Sequence, residues 1–137
     1  MGRPKGGKNA MRILEEKESF ELHLMGGVIR NGFHYTAGNQ VIAELGNYHF
    51  GKMFLATSAI SLESGLTTAN SDLAAIKAAM ISASEQVILL TDSSKMHHVL
   101  FQRFADLETI DTLITDSGLA GEDAAALGGR IRSLIIV

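Results

Sequence analysis

The chain of 137 residues has no cysteine, a single proline and no tryptophan. Without cysteine there is no disulfide, no thiolate nucleophile and no zinc site built on sulfur. The one proline is Pro4, so the body of the chain is free of proline breaks. No apolar run approaches the roughly 18 residues of a membrane span. The segment from Met1 to Met11 is basic but lacks the apolar stretch of a secretory signal. A cytoplasmic protein without membrane contact is therefore expected. A basic excess is missing too, since the formal net charge is −3. Phosphate neutralisation supplies most of the affinity of a duplex-binding surface, so this chain is not expected to grip DNA by itself.

What is present is the mix of a globular domain, 46 % hydrophobic and 20 % charged. The length suits one domain. Residues 1–12 interleave Gly2, Gly6 and Gly7 with Arg3, Lys5, Lys8 and Arg12, and are expected to form a flexible basic tail. Residues 13–137 are expected to form the folded domain.

Within it, short apolar runs alternate with helical stretches. Phe20 to Met25 alternates with period two and stops at Gly26-Gly27, which predicts a strand. Asn39 to Tyr48 places Val41, Ile42 and Leu45 at helical spacing. Lys52 to Thr57 predicts a buried strand. Ser71 or Asp72 can cap a helix running to about Ser84, with Leu73, Ile76, Met80 and Ile81 inward. Gln86 to Thr91 predicts a central strand, Thr112 to Thr115 another, Glu122 to Leu127 a short helix, and Arg132 to Val137 a last strand. Gly65-Leu66-Thr67-Thr68 reads as a turn. The alternation predicts an α/β fold, with a mostly parallel sheet flanked by helices and right-handed crossovers. The first strand enters straight from the tail, so the fold is expected to be incomplete at its N-terminus.

Ligands of open α/β sheets bind outside the carboxyl ends of the strands. That rule selects Gly26-Gly27, Thr57-Ser58-Ala59, Asp92-Ser93-Ser94-Lys95 and Asp116-Ser117-Gly118. Gly26 and Gly27 can let the backbone approach an anion, or can serve a turn. Lys95, following Asp-Ser-Ser, can set an ammonium beside backbone N–H groups, which suits a phosphate. Asp92 can accept from sugar hydroxyls or fix the loop. In the plainer alternative Asp92 and Ser93 only cap the turn and Lys95 is solvated. His23, His34, His49, His97 and His98 include no pair at helical zinc spacing, so no metal is expected. No Gly-x-Ser-x-Gly elbow and no Walker loop occurs, and no cofactor is expected.

Taken in order, Leu24-Met25-Gly26-Gly27, Phe54 to Ile60, Gly65-Leu66-Thr67-Thr68, Lys77-Ala78-Ala79-Met80, Val87 to Lys95 and Ile110 to Asp116 resemble the C-terminal effector domain of DeoR-family repressors. The likeness runs from about residue 20 to the end. It implies a fold similar to ribose-5-phosphate isomerase and glucosamine-6-phosphate deaminase. It also implies a regulatory role in which a phosphorylated sugar binds and frees a repressor from the operator of a sugar-metabolism operon. Family members carry an N-terminal helix-turn-helix and an Asp-Ser-Gly-Thr-Thr type phosphate loop, and neither motif is in this sequence. DNA contact is thus expected only through a domain absent from the chain, which resembles the last half of a repressor.

The family's usual Gly-Ala-Asp-Gly-Ile reads Ala56-Thr57-Ser58-Ala59-Ile60 here, and a usual Glu in the next helix is Leu73. An isomerase needs a general base near the substrate carbon, and Ser58 cannot serve as one without its own activating base. A sensor needs only binding and a change of shape. The expectation is therefore an effector-binding domain and not an enzyme, with Gly26, Gly27, Thr57, Ser58, Asp92, Ser94 and Lys95 as the binding residues. A sugar-phosphate isomerase or deaminase-like enzyme is one alternative, and a module for oligomerisation alone is another. A homo-oligomer is expected, because an incomplete sheet exposes apolar surface and operator-binding repressors pair half-sites by two-fold symmetry.

Overall fold

The apolar runs become strands wherever a neighbour is available to pair with them. The computed structural model describes residues 12–19, 21–29 and 35–137. In order the elements are β1 (Val28–Ile29), β2 (Thr36–Ala37), α1 (Asn39–Leu45), β3 (Met53–Leu55), β4 (Ala59–Ser61), β5 (Gly65–Thr68), α2 (Ser71–Ser82), β6 (Val87–Leu90), β7 (Gln102–Ala105), β8 (Thr112–Thr115), α3 (Gly121–Gly128) and β9 (Ser133–Ile136). Tight 3-10 turns lie at Ser93–Lys95 and Leu107–Thr109. The four-stranded sheet has the order β3-β6-β8-β9 and is parallel throughout. The predicted α/β class and parallel sheet are what the molecule has.

Val87, Leu89 and Leu113 alternate along their strands and turn one face of this sheet into the core, with Met53 and Leu55 beside them. Leu127 and Ile131 pack on that face from α3 and the residues after it. Leu107 and Ile110 from the second 3-10 turn join them. A second cluster, Ala37, Val41, Leu45 and Ile76, glues α1 and β2 to α2.

The second sheet was not anticipated. It is antiparallel, with the order β4-β5-β7, and brings Ile60 and Leu66 into the same core. Gly65-Leu66-Thr67-Thr68, expected as a turn, is its central strand, and every residue of it is buried. Gly65 explains the misreading. Its φ is +69, and a Cβ there would collide with the Ala105 carbonyl oxygen, so the strand must begin with glycine. The buried Thr67 hydroxyl accepts the Leu100 N–H at 2.9 Å, which makes a polar residue acceptable inside.

The strand expected over 20–25 is corrected. Residues 21–27 have no strand pairing, and pairing begins only at Val28. Leu22 and Leu24 are exposed, so the alternation has no core to cover and no neighbouring strand to hold it. Phe20 lies outside the described residues, as do residues 1–11 of the expected tail, while Arg12 opens a helical turn over 12–15. The helix expected over 39–48 ends at Leu45, where Gly46 takes over. The cap of α2 is Asn70, not Ser71 or Asp72, and its side chain accepts the Leu73 N–H at 3.1 Å.

Candidate functional site

The loops at the carboxyl ends of β3, β6 and β8 are joined by named contacts. A parallel bridge between Ile60 and Met96 sets the segment after β3 beside the turn after β6. Asp116, just beyond β8, reaches across to that same turn. Its carboxylate accepts from Ser93 N–H at 2.7 Å, Ser93 Oγ at 2.8 Å and Gly118 N–H at 2.8 Å. These bonds, the Ser93 amide foremost, hold the Asp116 carboxyl below the usual carboxylate range. Gly118 is needed for this closure, since a Cβ would meet Ser93 Oγ at 2.6 Å. Of the expected site, Thr57, Ser58, Asp92, Ser94 and Lys95 therefore lie on one contiguous rim.

The chemistry of the Asp92–Lys95 turn differs from the expected phosphate cradle. Asp92 accepts from Ser94 N–H at 3.1 Å and also from the Ser94 hydroxyl. Those interactions, the hydroxyl first and the Lys95 charge after it, hold the Asp92 carboxyl low. Lys95 N–H is bound to the Asp92 carbonyl, Met96 N–H to the Ser93 carbonyl, and Ser93 N–H to Asp116. The amides of 93–96 are thus already satisfied inside the protein and leave no nest for an anion. The Lys95 ammonium, 3.8 Å from Asp92 Oδ2, is the group of this turn that can still turn to a ligand. Thr57 is buried and its hydroxyl donates to the Ala59 carbonyl at 3.1 Å, whereas Ser58 is exposed. Ser58 is therefore placed to meet a ligand, and Thr57 shapes the loop.

The glycine pair sits elsewhere in the contact network. A Cβ on Gly27 would meet Val41 Cγ2 at 2.6 Å and the Ala37 carbonyl oxygen at 2.8 Å, so Gly27 is required by packing against β2 and α1. Gly26 has open space around it. Among the described residues, no hydrogen bond or ion pair links either glycine to the Asp92–Lys95 turn.

The site reading missed Lys77. Its Nζ donates to the Ala56 carbonyl at 2.6 Å and lies 5.0 Å from the centre of the Phe104 ring. Burial alone pushes its pKa down to about 8. Met53 N–H bonds the Gln86 carbonyl, so Met53 faces β6 and Ala56, out of phase with it, turns its carbonyl to the outer edge of β3. Lys77 reaches that edge from α2, 21 positions along the chain, a proximity no local pattern encodes. A groove of about 600 Å³ runs between α2 and β7 and is lined by Ala74, Ala75, Ala78 and Phe104 among others. None of the expected binding residues lines it.

His97 adopts φ 60, and its Nε2 lies 2.9 Å from Oδ2 of the buried Asp123 on α3. Among the described residues, no group of three or more His, Asp or Glu gathers as a metal site. No helix there is long and apolar enough to cross a membrane.

Strand-end loops tied together at the carboxyl edge of a parallel sheet occupy the place where open α/β domains bind their ligands. The family described as the DeoR C-terminal sensor domain matches residues 7–117, and the chain belongs to that family. It is similar to the HTH-type transcriptional repressor GlcR of Bacillus subtilis, with 37 % identity over 79 % of the chain and 42 % of the relative. Similarity to the HTH-type transcriptional regulator GlpR of Haloferax volcanii is 37 % identity over 83 % of the chain and 46 % of the relative. The lactose phosphotransferase system repressor of Streptococcus mutans is 32 % identical over 77 % of the chain and 42 % of its own length. The chain thus spans less than half the length of these relatives. The likeness to repressors stands with the expectation of a regulator's sensor domain and against that of an enzyme.

Proposed function

We propose that this chain is the effector-binding part of a cytoplasmic transcription regulator that senses a phosphorylated sugar and thereby controls operator binding in a sugar-metabolism operon. DNA is contacted through a helix-turn-helix carried by a longer polypeptide, and the regulator acts as a homo-oligomer. The observation that carries this is the joined rim of Ser58, Asp92, Ser94 and Lys95 at the carboxyl edge of the sheet, in a chain of the sensor-domain family. Lys95 pairs with the phosphate, released from its long contact with Asp92. Asp92 and Ser58 accept from and donate to sugar hydroxyls. Thr57 forms the floor of the site; Gly26, with open space around it, is kept as a further proposed contact, and Gly27 beside it is fixed by packing against Val41 and Ala37.

Calorimetric titration tests this with ribose 5-phosphate, glucosamine 6-phosphate and their unphosphorylated parents. A phosphorylated sugar is expected to bind and its parent not. Lys95→Ala is expected to weaken binding by roughly tenfold or more, the value of one hydrogen bond to a charged group. Equal binding by the variant, in a protein that still unfolds cooperatively, would remove Lys95 from the site.

A further inference from the structure

We propose that Lys77 is a second anion-binding group of the effector site, receiving a charged oxygen of the ligand at the outer edge of β3 while it holds the Ala56 carbonyl. This rests on the reading that the rim binds a phosphorylated metabolite. The geometry sets Lys77 apart from other cations of the domain. Lys95 faces Asp92, Arg103 faces Asp106, Arg130 faces Glu108 and Arg132 faces Asp111. Lys77 faces a neutral carbonyl and the face of a ring. An ammonium has three N–H donors, and Ala56 takes one of them. Among the described residues no carboxylate pairs with Lys77, and an arriving anion relieves the cost of a partly desolvated charge.

Its position suits the task. Ala56 directly precedes Thr57 and Ser58, so the ammonium sits at the base of the loop after β3. Ile60 and Met96 bring that loop to the Asp92–Lys95 turn. An extended metabolite with an anionic group can therefore meet one cation from a helix and one from a loop.

Neighbouring charges do not account for the state of Lys77. Among the elements packed against α2, β2, β3 and β5 carry no charged side chain. β7 carries Arg103, tied to Asp106, α1 carries Glu44, and α2 itself carries Asp72. Tyr35 and Lys52 flank β2 and β3. Burial is the one cause acting on the lysine.

An anion bound at Lys77 raises its pKa above about 8, so binding takes up a proton once the free protein has lost it. Affinity should then be flat below pH 8 and fall above it, by up to about tenfold per pH unit. The experiment is calorimetry of the full chain with ribose 5-phosphate, glucosamine 6-phosphate and inorganic phosphate between pH 7.5 and 9.5, in buffers of different ionisation enthalpy. The expected result is a falling affinity with proton uptake in the unaltered protein. Lys77→Met should weaken binding at the lower pH and remove the slope, and Lys77→Arg should keep the affinity and remove the slope. Lys95→Ala should lower affinity at every pH and keep the slope. A flat profile in the unaltered protein, or a slope that survives in Lys77→Met, overturns the role of Lys77 and leaves the rim standing if Lys95→Ala still weakens binding. Absence of binding by all the probes overturns both.

Discussion

Asp116 shows how one carboxylate can hold two loops in register. Its oxygens accept the Ser93 amide, the Ser93 hydroxyl and the Gly118 amide. The folded state depresses its pKa, so the stabilisation is present above the ordinary carboxylate range and is lost as pH falls through the depressed value. Asp116→Asn is therefore expected to lower the thermal midpoint at neutral pH, and the gap to the unaltered protein should shrink as the pH is brought below that range. A gap that stays constant into strong acid would mean that the charge is not what the amides hold. Gly118→Ala should act in the same direction, because the added methyl collides with Ser93 Oγ and Asp116 Oδ1. The residue level was only partly legible in the sequence. Asp92, Ser94 and Lys95 follow from the strand-end rule, since their position needs only β6 to be recognised. Lys77 did not, because its meeting with Ala56 is made by the packing of α2 and not by any spacing along the chain.

Among the elements, the parallel strands were legible and the antiparallel ones were not, for a physical reason. Val87–Leu90 is an uninterrupted apolar run, the signature of a strand within a covered sheet. Gly65–Thr68 opens on a glycine and ends on two threonines, and becomes a strand because β4 pairs with it on one side and Ala105, Arg103 and Gln102 on the other. Its stability therefore rests on satisfying polar groups in the interior. Thr67→Val keeps the shape and removes the acceptor of the Leu100 N–H, which should cost about 1–3 kcal/mol in denaturant unfolding. Gly65→Ala demands positive φ from alanine and a collision with the Ala105 carbonyl, and should cost about 2 kcal/mol or more. An alanine tolerated at 65 would show that β5 can shift away from β7. The strand misread over 20–25 teaches the converse: alternation without a partner and a core, as at Leu22 and Leu24, does not make a strand.

In the whole molecule, the direction of the sheet decides which surface is left bare. The order β3-β6-β8-β9 advances in one direction, so right-handed crossovers place the connecting elements on one face. The opposite face carries Phe54 and Ile88 in one row and Leu90, Ile114 and Ile135 in the next. Phe54 is 65 % exposed, and Leu90 and Ile135 are each 43 % exposed. Thr112 and Ser133 complete the first row, and neither row holds a charged side chain. Two copies meeting across a two-fold axis would face no like-charge repulsion there, which suits the proposed homo-oligomer. Parallel sheets are nearly always covered on both faces, so this surface favours association over solvation. Sedimentation of the chain over a range of concentrations is expected to reveal association, and Phe54→Lys to shift it toward monomer. A lysine here projects outward from an exposed position, so the fold should survive, with an unfolding midpoint close to that of the unaltered protein. Association undiminished in Phe54→Lys would place the contact on another surface, and a monomer at every concentration would remove the second copy as the partner of this face.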